Sequence, residues 1–117
     1  MKIVDLHCDT ISSLQKTGQS LYDNHFHFDV KRAHKAGIGL QFFAMFTMPQ
    51  GMNELRQILK QVEKYHTELD QCQEYLHPVY TYEDIITAGS TGKVSGILHL
   101  EGAEALGSDS EILRLLY

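Results

Sequence analysis

IGLQFFAMFT, residues 38–47, is a nearly continuous run of apolar sequence bounded by Gly37 and Pro49. Runs of this kind are typical of strands that are covered on both faces, as in a parallel sheet or a barrel. The stretch therefore predicts a buried strand, and the segments on either side of it decide which kind of sheet contains it.

The segment that follows, residues 51–76, predicts a long amphipathic helix. Its apolar residues recur at i, i+3, i+4 and i+7 spacing, and polar residues occupy the opposite positions. The helix is expected to run to Leu76 and to stop before Pro78, because a proline disfavours the helical conformation of the residue before it. His66 and Cys72 lie on or beside the apolar stripe, so we interpret them as core neighbours and not as ligands.

The other segments continue this alternation of strands and helices. They are a strand from Ile3 that ends between Leu6 and Asp9, a short helical or looped region over 10–16, a loop over 17–28, a helix over 30–35 with Asp29 as N-cap and Gly37 after its end, an extended piece over 79–81, a helix over 81–88 closed by Gly89, a strand over 93–100 and the start of a helix within 108–117. Alternating strands and helices imply a parallel sheet with right-handed crossovers, and the length is that of one domain.

Three side chains that commonly bind metals follow predicted strands, at the ends where parallel sheets collect their ligand sites. His7 and Asp9 stand two residues apart and face the same way, whereas Cys8 faces the other. Glu101 follows a later strand. Zinc accepts histidine nitrogen and carboxylate oxygen, so the three form a candidate metal site. Taken alone, the first strand end has a second interpretation, in which Asp9 or Thr10 is the N-cap of the next helix.

The remaining histidines are weaker candidates. His25 and His27 form a His-x-His pair, but no carboxylate stands at a suitable spacing, and the interleaved phenylalanines give the segment a reason to be partly buried. His99 stands two residues before Glu101 and is expected to point toward the same face, one layer lower. We interpret His99 as a core or supporting residue, with a catalytic role as the minor alternative.

Composition excludes several classes of protein. The formal net charge of −5 and the absence of a Lys/Arg cluster argue against nucleic-acid binding. No run approaches the ~20 apolar residues that cross a bilayer, so no membrane segment is expected. Cys8 and Cys72 are too few and too far apart for a disulfide framework, and reduced thiols suit a cytoplasmic location.

Motifs spread along the chain add to this interpretation. They are DLHCDT (residues 5–10), GLQFFA (39–44), LEG (100–102) and LRLLY (113–117). In this order and at these separations they resemble the zinc dipeptidases related to membrane (renal) dipeptidase, amidohydrolase-like metal enzymes on a (β/α)8 barrel. The resemblance covers the whole chain.

The resemblance implies a role for each candidate ligand. His7 and Asp9 are expected to bind one zinc ion, and Glu101 to bridge it to a second. In the relatives the second zinc is completed by two histidines from later strands, so this chain is expected to hold at most one well-liganded zinc site. Gly102 either lets the backbone approach the site closely or meets the requirement of a turn.

We therefore expect an α/β fold that contains the first three or so βα units of a (β/α)8 TIM barrel, as an incomplete parallel sheet with a long amphipathic helix. A complete barrel typically needs about 250 residues. Residues 1–117 are accordingly interpreted as the N-terminal portion of a metallopeptidase domain.

The expected function is that of a zinc-dependent dipeptidase, which hydrolyses the peptide bond of dipeptides at a binuclear zinc centre and is present here as an N-terminal fragment inactive alone. Two alternatives stay open: a non-catalytic α/β module that binds a metal or a protein, and one chain of a split enzyme. Because the open edges of an incomplete sheet are an association hazard, self-association is also expected.

Overall fold

Strands and helices alternate along the chain, as predicted, in the computed structural model, which describes residues 2–48 and 53–116. The elements are β1 (Ile3–Cys8), α1 (Thr10–Thr17), α2 (Val30–Ala36), β2 (Ile38–Met45), α3 (Glu54–Cys72), β3 (Leu76–Pro78), α4 (Tyr82–Thr91), β4 (Val94–Leu100), a short 3₁₀ helix (Glu104–Leu106) and α5 (Ser110–Leu116). Pro49, the predicted helix start at Gly51 and the motif residue Tyr117 lie outside the described residues.

The sheet is parallel throughout, with the strand order β1-β2-β4-β3. The predicted buried strand, β2, lies between β1 and β4. Its pairing with β4 is regular from Leu40 opposite Ser95 to Met45 opposite Leu100. This pairing holds the carboxyl ends of β1 and β4 on either side of β2, at the same edge of the sheet.

The short strand β3 comes before β4 in the chain but lies beyond it in the sheet, at the edge opposite β1. Leu76 pairs with Val94 and is buried there, and α3 ends at Cys72, so the prediction of a helix to Leu76 is wrong. An apolar residue at helical spacing can be buried equally well by a strand, and here pairing with β4 determines the outcome. The extended piece expected over 79–81 lies earlier, at Leu76–Pro78.

The main core lies between the sheet and helices α1, α2 and α3. Phe43 of β2 is completely buried, with ring centroids 5.2 Å from Phe28 and 5.4 Å from Tyr65. Cys72 belongs to the same cluster, as predicted. His66 is exposed instead, because the neighbouring Tyr65 takes the inward position on α3. The expectation that His66 is a core neighbour is therefore wrong.

A buried carboxylate on α3 binds the irregular segment that lies before α2. Glu68 is 2% exposed and accepts hydrogen bonds from the Leu21 backbone N–H and the Lys64 ammonium, both at 2.6 Å. A buried charge is tolerated only with such partners. The segment 19–28, predicted to be a loop, is thus held in one position although it contains no helix or strand.

Local signals predict one helix end correctly and another wrongly. The Asp29 carboxylate caps α2 by accepting a hydrogen bond from the Arg32 N–H at 2.7 Å, and Gly37 follows α2 with a φ of 77°. Gly89, however, lies inside α4, and it is Gly92, with a φ of 75°, that follows the helix. Both glycines suit a helix end, but only Gly92 adopts the left-handed conformation that favours glycine.

Both cysteines are free and buried. Burial raises the pKa of the Cys72 thiol to about 11 and also raises the pKa of Cys8. Both thiols therefore stay protonated at neutral pH, whereas metals bind the thiolate. Within residues 2–48 and 53–116, no helix combines the length and the apolar character needed to cross a bilayer.

Gly96 of β4 is a position where we expect no side chain to be tolerated. A Cβ there would lie 2.7 Å from the Tyr65 hydroxyl oxygen. That hydroxyl donates a hydrogen bond to the Gly96 carbonyl at 3.1 Å, so Tyr65 cannot move away without losing it. Overpacking of this kind costs about 1–3 kcal/mol. Gly96→Ala should lower the free energy of unfolding, measured by urea denaturation, by that amount.

Gly89→Ala is the matched control. A Cβ at Gly89 would meet no atom nearer than the Lys2 Nζ at 3.8 Å, and the residue lies inside α4. Alanine should therefore stabilise the protein by about 0.5–1 kcal/mol. A Gly96→Ala variant as stable as the Gly89→Ala variant would contradict this account of the packing around Tyr65.

Candidate metal centre

The end of β1 contains a bulge that redirects its side chains. Between Asp5 and Cys8, β1 has one residue more than the matching stretch of β2. Bulges bend a strand and re-aim the side chains beside the extra residue. Cys8 packs into the main core, and His7 and Asp9 lie on the other side of the strand, exposed, as alternation predicts.

Asp9 follows β1 at the N-cap position of α1, but its carboxylate makes no capping hydrogen bond. It pairs with His7 instead, with 3.0 Å between Asp9 Oδ1 and His7 Nε2. Ile11 and Leu14 of α1 are completely buried and fix the start of the helix. The capping interpretation thus holds for the position of Asp9 in the chain and not for its side chain.

Glu101 directly follows β4 and is fixed on both sides. Its backbone N–H donates a hydrogen bond to the Met45 carbonyl at 2.8 Å, next to the last pair of the β2–β4 ladder. Beyond it, Ala105 of the 3₁₀ helix is buried in a second cluster with Met45. Gly102 has a φ of 85°, a left-handed conformation that favours glycine, so the requirement of a turn accounts for this glycine.

The structure brings His7, Asp9 and Glu101 together from two strands. One possible ligand atom of each lies within 4.8 Å of the others. His7 Nε2 is 3.0 Å from Asp9 Oδ1 and 3.6 Å from Glu101 Oε2. We call these three residues the triad. In the part of the chain that the structure describes, no other group of three His, Cys, Asp or Glu residues meets this criterion.

The donors of the triad suit a divalent cation such as zinc. In a tetrahedral zinc site with bonds of about 2.1 Å, donor atoms lie about 3.4 Å apart. The observed separations of 3.0 and 3.6 Å from His7 Nε2 need only small adjustments to reach this arrangement. Two carboxylates held so close together repel each other unless a proton or a cation neutralises them. The triad could therefore hold a divalent cation.

His99 adjoins the triad on the same face of the sheet. Its ring centroid lies 5.6 Å from that of His7 and 6.0 Å from that of Phe42. Its Nε2 is buried and has no hydrogen-bond partner among the described residues. Burial, and after it the proximity of His7, lowers the pKa of His99, so the neutral imidazole is favoured.

The His-x-His pair of the loop is divided between different surroundings. His27 lines a cleft of ≈ 340 Å³ together with His7 and Asp9, whereas His25 is not among the residues that line it. Phe28, between the loop and α2, is buried. Within the described residues, neither His25 nor His27 belongs to a group of three possible metal ligands.

A parallel α/β sheet that presents an imidazole and two carboxylates at strand ends places possible metal ligands where such folds collect their ligand sites. The chain belongs to the membrane dipeptidase family, peptidase family M19, whose family model matches residues 1–117. The family predicted from the motifs is therefore confirmed. No curated protein matches the chain significantly in sequence.

Solved structures of dipeptidases share the fold. Dipeptidase AC, an M19 metallopeptidase, superposes with a TM-score of 0.81 at 22% identity, over 99% of this chain and 39% of that one. A metallopeptidase from Rhodobacter sphaeroides, liganded with a phosphinate mimic of the dipeptide L-Ala-D-Ala, gives 0.82 at 21% identity, over 99% and 43%. The probable dipeptidase PvdM from Pseudomonas aeruginosa gives 0.66 at 17% identity, over 80% and 26%.

These superpositions confirm the predicted fold class, an α/β parallel sheet that matches part of the barrel fold of the M19 dipeptidases. The chain spans less than half the length of each of these structures. The similarity therefore concerns the arrangement of strands and helices over that part.

Sequence reasoning missed two features that position the triad. The bulge in β1 carries no glycine or proline that could have indicated it. The 3₁₀ helix Glu104–Leu106 was not predicted either, although the apolar pair Ala105 and Leu106 between polar residues was a usable signal.

Alanine substitutions of Asp9 and Asp29, both at N-cap positions, test whether the Asp9 carboxylate stabilises the fold. Asp29→Ala removes a cap that is 1% exposed and should lower the free energy of unfolding by about 1–2 kcal/mol. Asp9→Ala removes no capping bond and should change it by less than about 0.5 kcal/mol. Urea denaturation in the presence of a chelator measures both. Equal losses in the two variants would show that Asp9 is a structural cap.

Proposed function

We propose that residues 1–117 are the N-terminal portion of the (β/α)8 metallopeptidase domain of a zinc-dependent dipeptidase, in which the triad binds zinc. The observation that carries the proposal is the convergence of His7, Asp9 and Glu101, from strands far apart in the sequence, to within 4.8 Å. Membership of the M19 family and the fold shared with its dipeptidases support the choice of reaction.

Each triad residue has a distinct task in this proposal. His7 offers Nε2, which binds a cation only while the imidazole is neutral. Asp9 offers Oδ1 from the β1 side, and Glu101 offers Oε2 from the β4 side. Bound zinc supplies a Lewis acid that activates water and polarises a peptide carbonyl. The second carboxylate oxygen of Glu101 is the group that would bridge to a second ion.

The proposal also covers substrate, location and completeness. A dipeptide is the substrate of the complete enzyme, which agrees with the phosphinate dipeptide mimic held by the Rhodobacter sphaeroides metallopeptidase. The two free, buried thiols agree with a cytoplasmic location. The second ion needs ligands beyond the triad, and this chain spans 39% and 43% of two of the solved dipeptidases. The 117-residue chain by itself is therefore proposed to bind zinc without hydrolysing dipeptides.

Zinc binding by the purified chain tests the triad. We expect at most one zinc ion per chain by isothermal titration calorimetry, and much weaker binding by His7→Ala and Glu101→Ala, since each removes a donor of the triad. His25→Ala, which alters an exposed loop histidine, should bind zinc as the wild type does.

Two outcomes would contradict the proposal. Zinc bound by an Asp9→Ala variant at one ion per chain with the affinity of the wild type would place the metal at another site. Hydrolysis of a simple dipeptide by the purified chain, abolished by a chelator, would show that the 117 residues are catalytically complete.

Self-association is part of the proposal because β1 is an edge strand of the sheet. Its unpaired backbone groups can pair with another strand, and Val4 and Leu6 are 56% and 68% exposed. Apolar side chains on an unpaired strand are typical of surfaces that associate. We propose that copies of the chain associate through this edge.

Sedimentation velocity over a range of concentrations tests the association. The wild-type chain should form oligomers as its concentration rises, and Leu6→Lys should shift it toward the monomer, because a charge on an edge strand opposes pairing. Leu59→Lys is the matched control, since Leu59 is 50% exposed on α3, away from the edge. A wild-type chain that stays monomeric at high concentration would rule the association out.

A further inference from the structure

Two strands of the sheet carry the same short pattern. β1 leads into His7-Cys8-Asp9, and β4 leads into His99-Leu100-Glu101. Each strand thus presents an imidazole and a carboxylate two residues apart, which strand alternation places on one face. The intervening residues Cys8 and Leu100 pack against the core clusters on the opposite face. The triad uses three of these four polar side chains and leaves out His99.

The two imidazoles lie close to the separation that a shared ion requires. In a tetrahedral site with Zn–N bonds of about 2.0–2.1 Å, the ring centroids of two bound imidazoles lie about 5 Å apart. The centroids of His7 and His99 are 5.6 Å apart, with an angle of 64° between the ring planes. The two rings therefore lie near the separation that binding of one ion by both rings requires.

The buried Nε2 of His99 is a feature that packing alone does not explain. It has no hydrogen-bond partner among the described residues, and an unsatisfied buried polar atom is costly. A phenylalanine would fill the same space between His7 and Phe42 without this cost. The His99 ring lies beside that of His7, one of the three possible metal ligands, so an ion bound there is a candidate partner for this nitrogen.

We propose that His99 is a fourth protein ligand of the ion bound by His7, Asp9 and Glu101. This inference rests on the metal centre of the proposed function. His99 is not part of the group whose ligand atoms lie within 4.8 Å of one another, so its imidazole has to turn into another staggered rotamer to reach the ion. The turn sacrifices no hydrogen bond of Nε2, because that atom makes none among the described residues.

A fourth donor changes the kind of site that this chain holds. Three protein ligands leave a position of a tetrahedral ion open to water, whereas four close it, as in structural zinc sites. With two nitrogens and two oxygens, the chain alone would hold one ion in a closed site. His99 would have to leave the ion before water or a substrate could occupy that position.

A cobalt titration of the 117-residue chain tests the assignment. Tetrahedral Co²⁺ with protein donors absorbs visible light far more strongly than six-coordinate, water-rich Co²⁺, so the wild type should show an intense visible band at one equivalent. His99→Phe keeps a ring between His7 and Phe42 and should lose this band. Loss of a group that only hydrogen-bonds to a metal ligand already costs about 10–100-fold in metal affinity. Loss of a ligand itself should therefore weaken binding at least about tenfold. His66→Phe, at an exposed histidine of α3, should change neither property.

The outcomes separate this inference from the proposed function. A His99→Phe variant with the affinity and spectrum of the wild type would overturn the role of His99 and leave the triad intact. A wild-type chain that binds no cobalt and no zinc would overturn both.

A second measurement is independent of how the variant folds. The imidazole ¹⁵N resonances of the wild-type chain should show a coordination shift at His99 when one equivalent of zinc is added. An unchanged His99 resonance in a chain that has bound zinc would overturn the assignment.

Discussion

Parallel pairing of β1 and β4 with the central strand β2 is the constraint on which the candidate metal centre depends. Cys8 lies opposite Phe43, and Leu100 opposite Met45, so the ends of the two outer strands are held at the same edge of the sheet. A shift of one residue in either pairing would turn the side chains of the triad toward the core. Burial of Phe43 and the other apolar side chains on one face of the sheet fixes the strand register. The same register places the triad on the other face.

The fold was predictable where the signal was local. Asp29 and Gly37 delimit α2 because a cap involves backbone groups only a few residues away. The end of α3 was not predictable, since Leu76 continues the helical spacing and its burial depends on Val94, far along the chain. The end of α4 was not predictable from the glycines either. Gly89 and Gly92 carry the same local signal, and only Gly92 adopts the left-handed conformation that follows the helix.

The candidate site was predictable where the order and direction of the strands alone determine which residues lie together. Parallel strands deliver His7, Asp9 and Glu101 to one edge of a sheet, and the structure brings them together there. Sequence spacing also indicates that His99 lies on the same face. It does not indicate that the Nε2 of His99 is buried without a partner, because that depends on how the rings of His7 and Phe42 pack around it.

The exposure of the triad bears differently on metal binding and on catalysis. The side chains of His7, Asp9 and Glu101 are 49%, 58% and 53% exposed, so electrostatic interactions at the triad act largely through water. Two unit charges 4 Å apart interact with about 1 kcal/mol in water and with about 4 kcal/mol at the effective dielectric constant near a protein surface. Stabilisation of the charge that develops during hydrolysis depends on a preorganised site from which water is excluded.

The solved dipeptidases are more than twice as long as the part that this chain matches, since the match covers 39% and 43% of two of them. In the proposed function, β1 and β4 supply the geometry of the ligands, and the walls that exclude water come from the chain that the relatives have beyond the matched part. Binding of an ion needs only donors at the right separation. Hydrolysis also needs the enclosure, which is why the proposed function assigns metal binding, and not hydrolysis, to this chain by itself.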